Sequence, residues 1–201
     1  MTESSTPSTR SQPKGDKRER TRAKLLEAAR SLIREKGYEH TTLDEIAERA
    51  GMTTGAIYGN FKNRDDLFIA LGHAYWPPIR PRVKPGASFS NVMRAVAEAT
   101  IAAIPDRATA AVGRLTGLAY TLTHEELRVR VESITAESYA FGEEWLSEVV
   151  KKEDLPMPAG QLVRVLHALS EGLVFQRLLT PELVPDEVIR AAFLALAAKR
   201  R

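Results

Sequence analysis

Residues 41–67 read TTLDEIAERAGMTTGAIYGNFKNRDDL. Thr42 is a good N-cap, and Glu45, three residues on, completes a capping box. Leu43, Ile46, Ala47 and Ala50 recur at i, i+3, i+4 and i+7, the spacing that gathers apolar side chains on one helix face. Gly51 follows as a helix stop, and Thr53 or Thr54 caps a second short helix through Ala56, Ile57 and Tyr58. Helix, glycine-containing turn, helix is the helix-turn-helix arrangement, whose second helix enters the major groove of DNA. A further helix starts at the cap Asn63, with Asp65 and Asp66 in its first turn, where the dipole favours them.

The charge upstream of this stretch fits it. From Arg10 to Lys24 there are seven basic and two acidic residues, whereas residues 65–201 carry 16 basic and 17 acidic ones. The net +3 of the chain is therefore concentrated beside the groove-reading motif, where contacts to phosphate need it. Residues 1–15, rich in Ser, Thr and Pro, read as a disordered basic tail. Asp16 caps a first helix, with Glu19 as its capping-box partner and Leu25, Ala28, Ala29, Leu32 and Ile33 as its apolar stripe, and Gly37 ends it.

The helix from Asn63 runs through Leu67, Phe68, Leu71 and Tyr75 to Trp76, where Pro77 stops it. The segment WPPIRPRVKPG holds four prolines and reads as a stiff connection between a small head and a larger body. Helical spacing then returns without a convincing strand. One helix spans about Ser88 to Ile104, with Phe89, Val92, Met93, Val96 and Ile101 inward. Pro105-Asp106 opens a next helix, to about Leu122. Thr123 and Glu126 cap a long one through Trp145 to about Lys152. DLPMPAG breaks the pattern, and two helices follow, about Gln161 to Leu179 and Asp186 to Lys199. The fold class is all-α.

Several function classes drop out. With no cysteine among 201 residues, disulfide and thiolate chemistry are excluded. No apolar run approaches the roughly 20 residues that span a bilayer, and the N-terminus lacks the apolar core of a secretory signal, so the expected location is the cytoplasm, with no membrane partner. The four His form no spaced metal set, and there is no P-loop or G-x-S-x-G. Neither a metal nor a cofactor is expected.

The run LLEAARSLIREKGYEHTTLDEIAERAGMTTGAIYGNFKNRDDLF resembles the TetR family of transcriptional regulators. Gly37-Tyr38, Thr41-Thr42, Ile46-Ala47, Ala50-Gly51, Gly55, Ile57-Tyr58, Phe61 and Leu67 carry the likeness, which covers about residues 17 to 75. Arg64 stands where many members have Lys, and Gly59 where a bulkier residue is common. The resemblance implies a homodimer with an N-terminal three-helix DNA-binding domain and a C-terminal helical domain that pockets a small ligand and dimerises through its last two helices. Mapped onto this chain, the domains are residues 16–62 and 63–201, with helix 63–76 joining the two.

Thr53, Thr54, Gly55 and Ala56 are small enough to let a helix sit deep in a groove, and a Thr methyl can pack on a thymine methyl. Their other reading is to cap and turn the helix. Tyr58 reaches a phosphate or packs in the core, and Asn60 lies near the helix end. Lys62 and Arg64 are expected at phosphates, as is the backbone or hydroxyl of Thr42. Lys17, Arg18, Arg20 and Arg22 either touch the DNA backbone or are mobile surface charge. Met93, Tyr120, His124, Phe141, Trp145, His167 and Phe175 are candidates to line a ligand pocket in the body, against plain core packing. Arg114 faces an anionic ligand or solvent. The dimer interface is expected at Leu162, Val165, Leu166, Leu169 and Leu173 of one helix and Ile189 and Phe193 of the other.

Together these readings describe a ligand-responsive repressor. It binds a palindromic double-stranded DNA operator as a homodimer and leaves it when a largely apolar small-molecule effector binds. Two alternatives stand beside it: an activator or dual regulator controlled without a small ligand, and, more distantly, an all-α enzyme, against which the missing nucleophile-base constellation argues.

Overall fold

A computed structural model describes residues 14–198. The expected tail up to Pro13 and the expected helix end at Lys199 lie outside the described residues. Among those described, the chain is all α with no strand, and no helix is long and apolar enough to cross a membrane. The helices are α1 Lys14–Lys36, α2 Leu43–Arg49, α3 Thr54–Tyr58, α4 Arg64–Tyr75, α5 Phe89–Ala108, α6 Ala111–Thr123, α7 Glu125–Val149, α8 Ala159–Leu179 and α9 Asp186–Ala195. The chain forms two compact units, Met1–Ala70 and Leu71–Arg201.

In the first unit the apolar stripes meet. Leu25, Ala29 and Ile33 of α1 are buried with Ile46 and Ala47 of α2, Ile57 of α3, Phe61 and Leu67. Gly37 ends α1 with φ +82°, a left-handed turn that costs glycine nothing, and its N–H donates to the Ile33 carbonyl (2.8 Å). α1 begins at Lys14, so Asp16 stands inside its first turn rather than at its cap.

In the second unit α5 packs on α8 and α9, α7 on α8, and α6 on α7. Val92, Met93, Val96 and Ala97 of α5 share one core with Leu146 and Val149 of α7, Leu162 and Leu166 of α8, and Ile189 and Phe193 of α9. The proline-rich segment belongs to this unit rather than joining the two. Val83 and Ala87 pack against its core, and the Gly86 N–H donates to the Val149 carbonyl (3.1 Å).

Further expected boundaries are overturned. Pro105 does not open a helix but lies inside α5. It stands in the last turn, where it forgoes the N–H that would reach the Ile101 carbonyl, and the helix ends three residues later at Ala108. Arg107 holds that turn in place, donating from Nη2 to the Pro77 carbonyl (2.7 Å). Thr123 does not cap α7. Its hydroxyl donates to the Tyr120 carbonyl (3.0 Å), which keeps it as the last residue of α6, and His124 takes the cap position with its ring turned back to Thr123 and Tyr120 rather than onto the N-terminus of α7. α9 ends at Ala195, earlier than the apolar spacing suggests, and Leu196–Ala198 continue as a turn.

Candidate nucleic-acid interface

The α2–turn–α3 unit is held by its caps. The Thr42 hydroxyl accepts the Glu45 N–H (3.3 Å), while the Thr42 N–H and hydroxyl both donate to Glu45 Oε2 (2.9 and 2.8 Å). Gly51 turns the chain at φ +66°, and the Met52 N–H returns to the Ala47 carbonyl (2.8 Å). The Thr53 side chain caps α3, accepting the Ala56 N–H (3.2 Å). Ile57 and Phe61 are buried beneath it.

That burial decides which residues α3 presents outward: Thr53, Thr54, Gly55, Tyr58 and Gly59 are exposed and Ala56 is half-buried. Tyr58 is 50% exposed, so its core-packing reading falls. A Cβ on Gly55 would meet only the Thr53 hydroxyl at 3.8 Å, so no internal contact demands glycine there. Gly59 differs. A Cβ there would sit 3.2 Å from the Gly55 carbonyl, which gives its smallness an internal cause.

Three expected contact residues are occupied inside the protein. The Thr42 N–H and hydroxyl are satisfied by Glu45, whose carboxyl Lys36 and Thr42 hold down at about 2, from an ordinary 4.5. A phosphate at Thr42 would have to displace that carboxylate. The Asn60 side chain turns back, Nδ2 donating to the Ala56 carbonyl (2.8 Å) with Oδ1 buried, so it does not face a base. Arg64, expected at a phosphate, donates from Nη2 to the carbonyls of Tyr38 (2.6 Å) and Glu39 (3.4 Å) and lies 4.8 Å over the Tyr38 ring. The Tyr38 hydroxyl returns a hydrogen bond to the Arg64 carbonyl (3.0 Å). A planar fork can hold carbonyls and cover a ring at once, which explains why arginine turns inward where lysine would not. Lys62 remains exposed.

Some bracing roles escaped the sequence reading because they join helices that periodicity treats separately. Arg22 donates to the Asn60 carbonyl (3.2 Å) and lies 4.5 Å over the Phe61 ring, so this basic residue braces the end of α3. Arg49 grips Glu35 with two hydrogen bonds (2.7 and 2.9 Å), locking α2 to α1. Lys17, Arg18 and Arg20 are exposed, and Lys17, Arg18, Thr21 and Asn60 line an open cleft.

In the second unit only Arg114 and Phe175 of the pocket candidates converge, both on Trp76. Met93 is fully buried in the main core, with Trp145 packed against it. Tyr120 and His124 stack on each other (3.5 Å), with His124 exposed. Phe141 is 50% exposed under Arg80. Phe175 stacks on Trp76, and Arg114, partly buried, pairs with Glu171 (2.9 Å). His167 joins the same carboxylate (3.0 Å) and contacts the Tyr139 hydroxyl through Nδ1 (2.8 Å).

The expected dimer residues are mostly spent within one chain. Leu162, Ile189 and Phe193 are 0% exposed, Leu166 is nearly so, and Leu169 and Leu173 pack partly buried on the same core. Apolar periodicity marks a helix's most buried face, and here that face turns to the chain's own core first. Val165 points outward. So do Ala168, Gly172 and Leu179 of α8 and Val188, Ala191 and Ala195 of α9.

Comparison with known proteins agrees with this geometry. The family model described as bacterial regulatory proteins, tetR family, matches residues 25–71. The transcriptional regulator TtgR of Pseudomonas putida is 49% identical over 51 residues, 25% of this chain and 24% of that protein. The match thus spans about a quarter of that curated relative. Over more of the length, NalD of Pseudomonas aeruginosa, described as the secondary repressor of the MexAB-OprM multidrug efflux pump, is 28% identical with TM-score 0.58, covering 88% of this chain and 93% of NalD. SmeT, solved in complex with triclosan, shares the fold at 20% identity and TM-score 0.59, covering 89% of this chain and 90% of SmeT.

Proposed function

We propose that this chain, which belongs to the tetR family of bacterial regulatory proteins, is a repressor that binds a palindromic operator as a homodimer and is released by a small-molecule effector. The observation that carries the reading is the two-sided α3. Ile57 is buried on one side, while small and hydroxyl-bearing residues, Thr54 and Gly55 with Tyr58, are presented on the other. Such a helix lies close against base edges, and Thr54 offers both a methyl and a hydroxyl for readout. Lys62 supplies a phosphate contact that positions it. Two copies reach half-sites about one helical turn, roughly 34–36 Å, apart or a multiple of it. The repressor named among its relatives supports the sign of regulation.

The dimer contact in this reading uses the outward stripes, Val165, Ala168, Gly172 and Leu179 with Val188, Ala191 and Ala195. Small side chains there let helices of two copies approach closely. Ala168→Arg places a charge in that contact and should shift the protein to monomer, with operator affinity falling more than about tenfold, as read by sedimentation and anisotropy. A dimer of unchanged strength would move the interface elsewhere.

The DNA reading is tested by fluorescence anisotropy on genomic fragments that the protein enriches. Lys62→Ala should weaken binding to every duplex and reduce the salt slope by about one unit. Thr54→Ala should change base preference instead. Unaltered binding and slope in Lys62→Ala would remove that contact from the interface.

The scatter of the sequence-derived pocket residues favours one rival, a regulator controlled without a small ligand. Thermal shift against a small-molecule library separates the two, because a ligand that binds the folded state raises its midpoint.

A further inference from the structure

The corner around Trp76 holds more positive charge than its own carboxylate neutralises. Trp76 directly follows α4 and is 8% exposed, and Phe175 of α8 stacks on its ring at 5.1 Å and 18°. The guanidinium of Arg107 lies 4.7 Å from the same ring centre and that of Arg114 5.9 Å. Arg107 is 5% exposed and donates to the Pro77 carbonyl, but among the described residues no carboxylate comes within ion-pair reach of it. Arg114 pairs with Glu171, yet Glu171 also takes His167. Glu171 is thus shared by Arg114 and His167, and Arg107 is left without an ion-pair partner among the described residues.

A second, independent observation lies at the same place. The Trp76 Nε1–H is buried and has no acceptor among the described residues. A buried donor left unmade is rare in folded proteins, and a buried guanidinium without a counter-charge is costly. A water molecule would satisfy the indole but bring no charge. An oxyanion satisfies both. The surroundings are otherwise apolar: Ala110 and Val174 are buried with Trp76, and Ile104, Phe175 and Leu178 pack against them.

We propose that Trp76, Arg107 and Arg114 anchor the oxyanion of an organic acid, whose apolar or aromatic remainder lies against Phe175, Ile104 and Val174. This rests on the effector-responsive reading above and names the chemical class of the effector. An acceptor oxygen takes the Trp76 Nε1–H, and the negative charge completes the Arg107 and Arg114 pair. The Trp76 N–H closes the last turn of α4 on the Gly72 carbonyl (2.9 Å), so the acid binds at the end of the helix that begins at Arg64.

The chain has two tryptophans, so Trp145→Phe leaves emission that reports Trp76. This full-length variant is titrated with benzoate and decanoate, with the neutral analogues benzamide and decanol, and with inorganic phosphate. The expected result is a saturable emission change with at least one acid and none with its neutral analogue. Trp76→Phe keeps a stacking ring and loses only the donor. By calorimetry it should bind the same acid about tenfold more weakly. Arg107→Met should lose binding, and Arg107→Lys should recover part of it.

No saturable response to either acid below about 10 mM overturns the proposal. So does an equal response to acid and neutral analogue, full acid affinity in Trp76→Phe, or phosphate acting as well as the acids. Operator binding is measured in parallel. Intact operator binding with no acid response removes the anchor and leaves the regulator. Acid binding without any operator affinity keeps the anchor and removes the regulator.

Discussion

In the first unit, α2 and α3 are 7 and 5 residues long, and neither could persist alone in water. They are held by side chains that reach backbone: Thr42 and Thr53 at the caps, Arg64 on the Tyr38 carbonyl, Arg22 on the Asn60 carbonyl. In the second unit, α5, α7 and α8 are 20, 25 and 21 residues long and share one apolar core. There α7 starts with no side-chain cap at all. Short elements need each terminal group satisfied, whereas long ones tolerate loose ends because their faces carry the stability.

The largest test of that contrast is Phe61→Ala. Phe61 is 1% exposed at the end of α3, and its loss should cost about 3–5 kcal/mol. Denaturant melts should show the loss in the first unit, with operator binding abolished and the association state intact. A simultaneous loss of association would break the contrast.

A finer test compares two caps of the same chemistry. Thr53→Ala removes the cap of a five-residue helix and should cost about 1–2 kcal/mol. Ser88 likewise caps the 20-residue α5, where packing holds the first turn, so Ser88→Ala should cost about 0.5 kcal/mol. Equal costs in urea melts would mean that helix length does not govern the need for a cap.

The smallest effect expected is in acid. In the first unit, Arg49 and Ser31 hold Glu35 at about 2, and Lys36 and Thr42 do the same for Glu45. In the second, burial pushes Glu171 upward, but hydrogen bonds from His167 and Arg114 bring it to about 2. Each folded value lies below the ordinary 4.5. Each carboxylate therefore favours the fold fully above about 4.5, and its contribution fades as pH falls from there to about 2. Added salt should flatten the acid loss more around Glu35 and Glu45, which are exposed and screened, than around Glu171. Residue-resolved NMR titration at two salt concentrations reads the difference.

The same contrast governs what could be read without coordinates. The Thr42–Glu45 box, the Gly51 turn and the Asn63 cap are relations between residues at most a few positions apart, and all three were legible. The buried faces of α8 and α9 were legible too, but not what covers them. Leu162, Ile189 and Phe193 look alike whether they meet their own chain or another, because periodicity identifies a face and not its partner. Arg64 and Arg22 misled for a related reason. A basic residue beside a groove-reading helix invites a phosphate, and nothing local reveals a carbonyl within reach 25 or more positions away. Thr123 and Pro105 carry ordinary helix-start signals that were overruled by the Tyr120 carbonyl and by the hold on Arg107.

Gly55 faces outward with open room around its missing side chain, in a helix whose attachment runs entirely through Thr53, Ile57 and the residues beyond. Scaffold and reading surface are thus separable at this position. Under the proposed DNA reading, duplex preference is open to retuning there by exchanging one small group for another, without renegotiating how the helix is anchored.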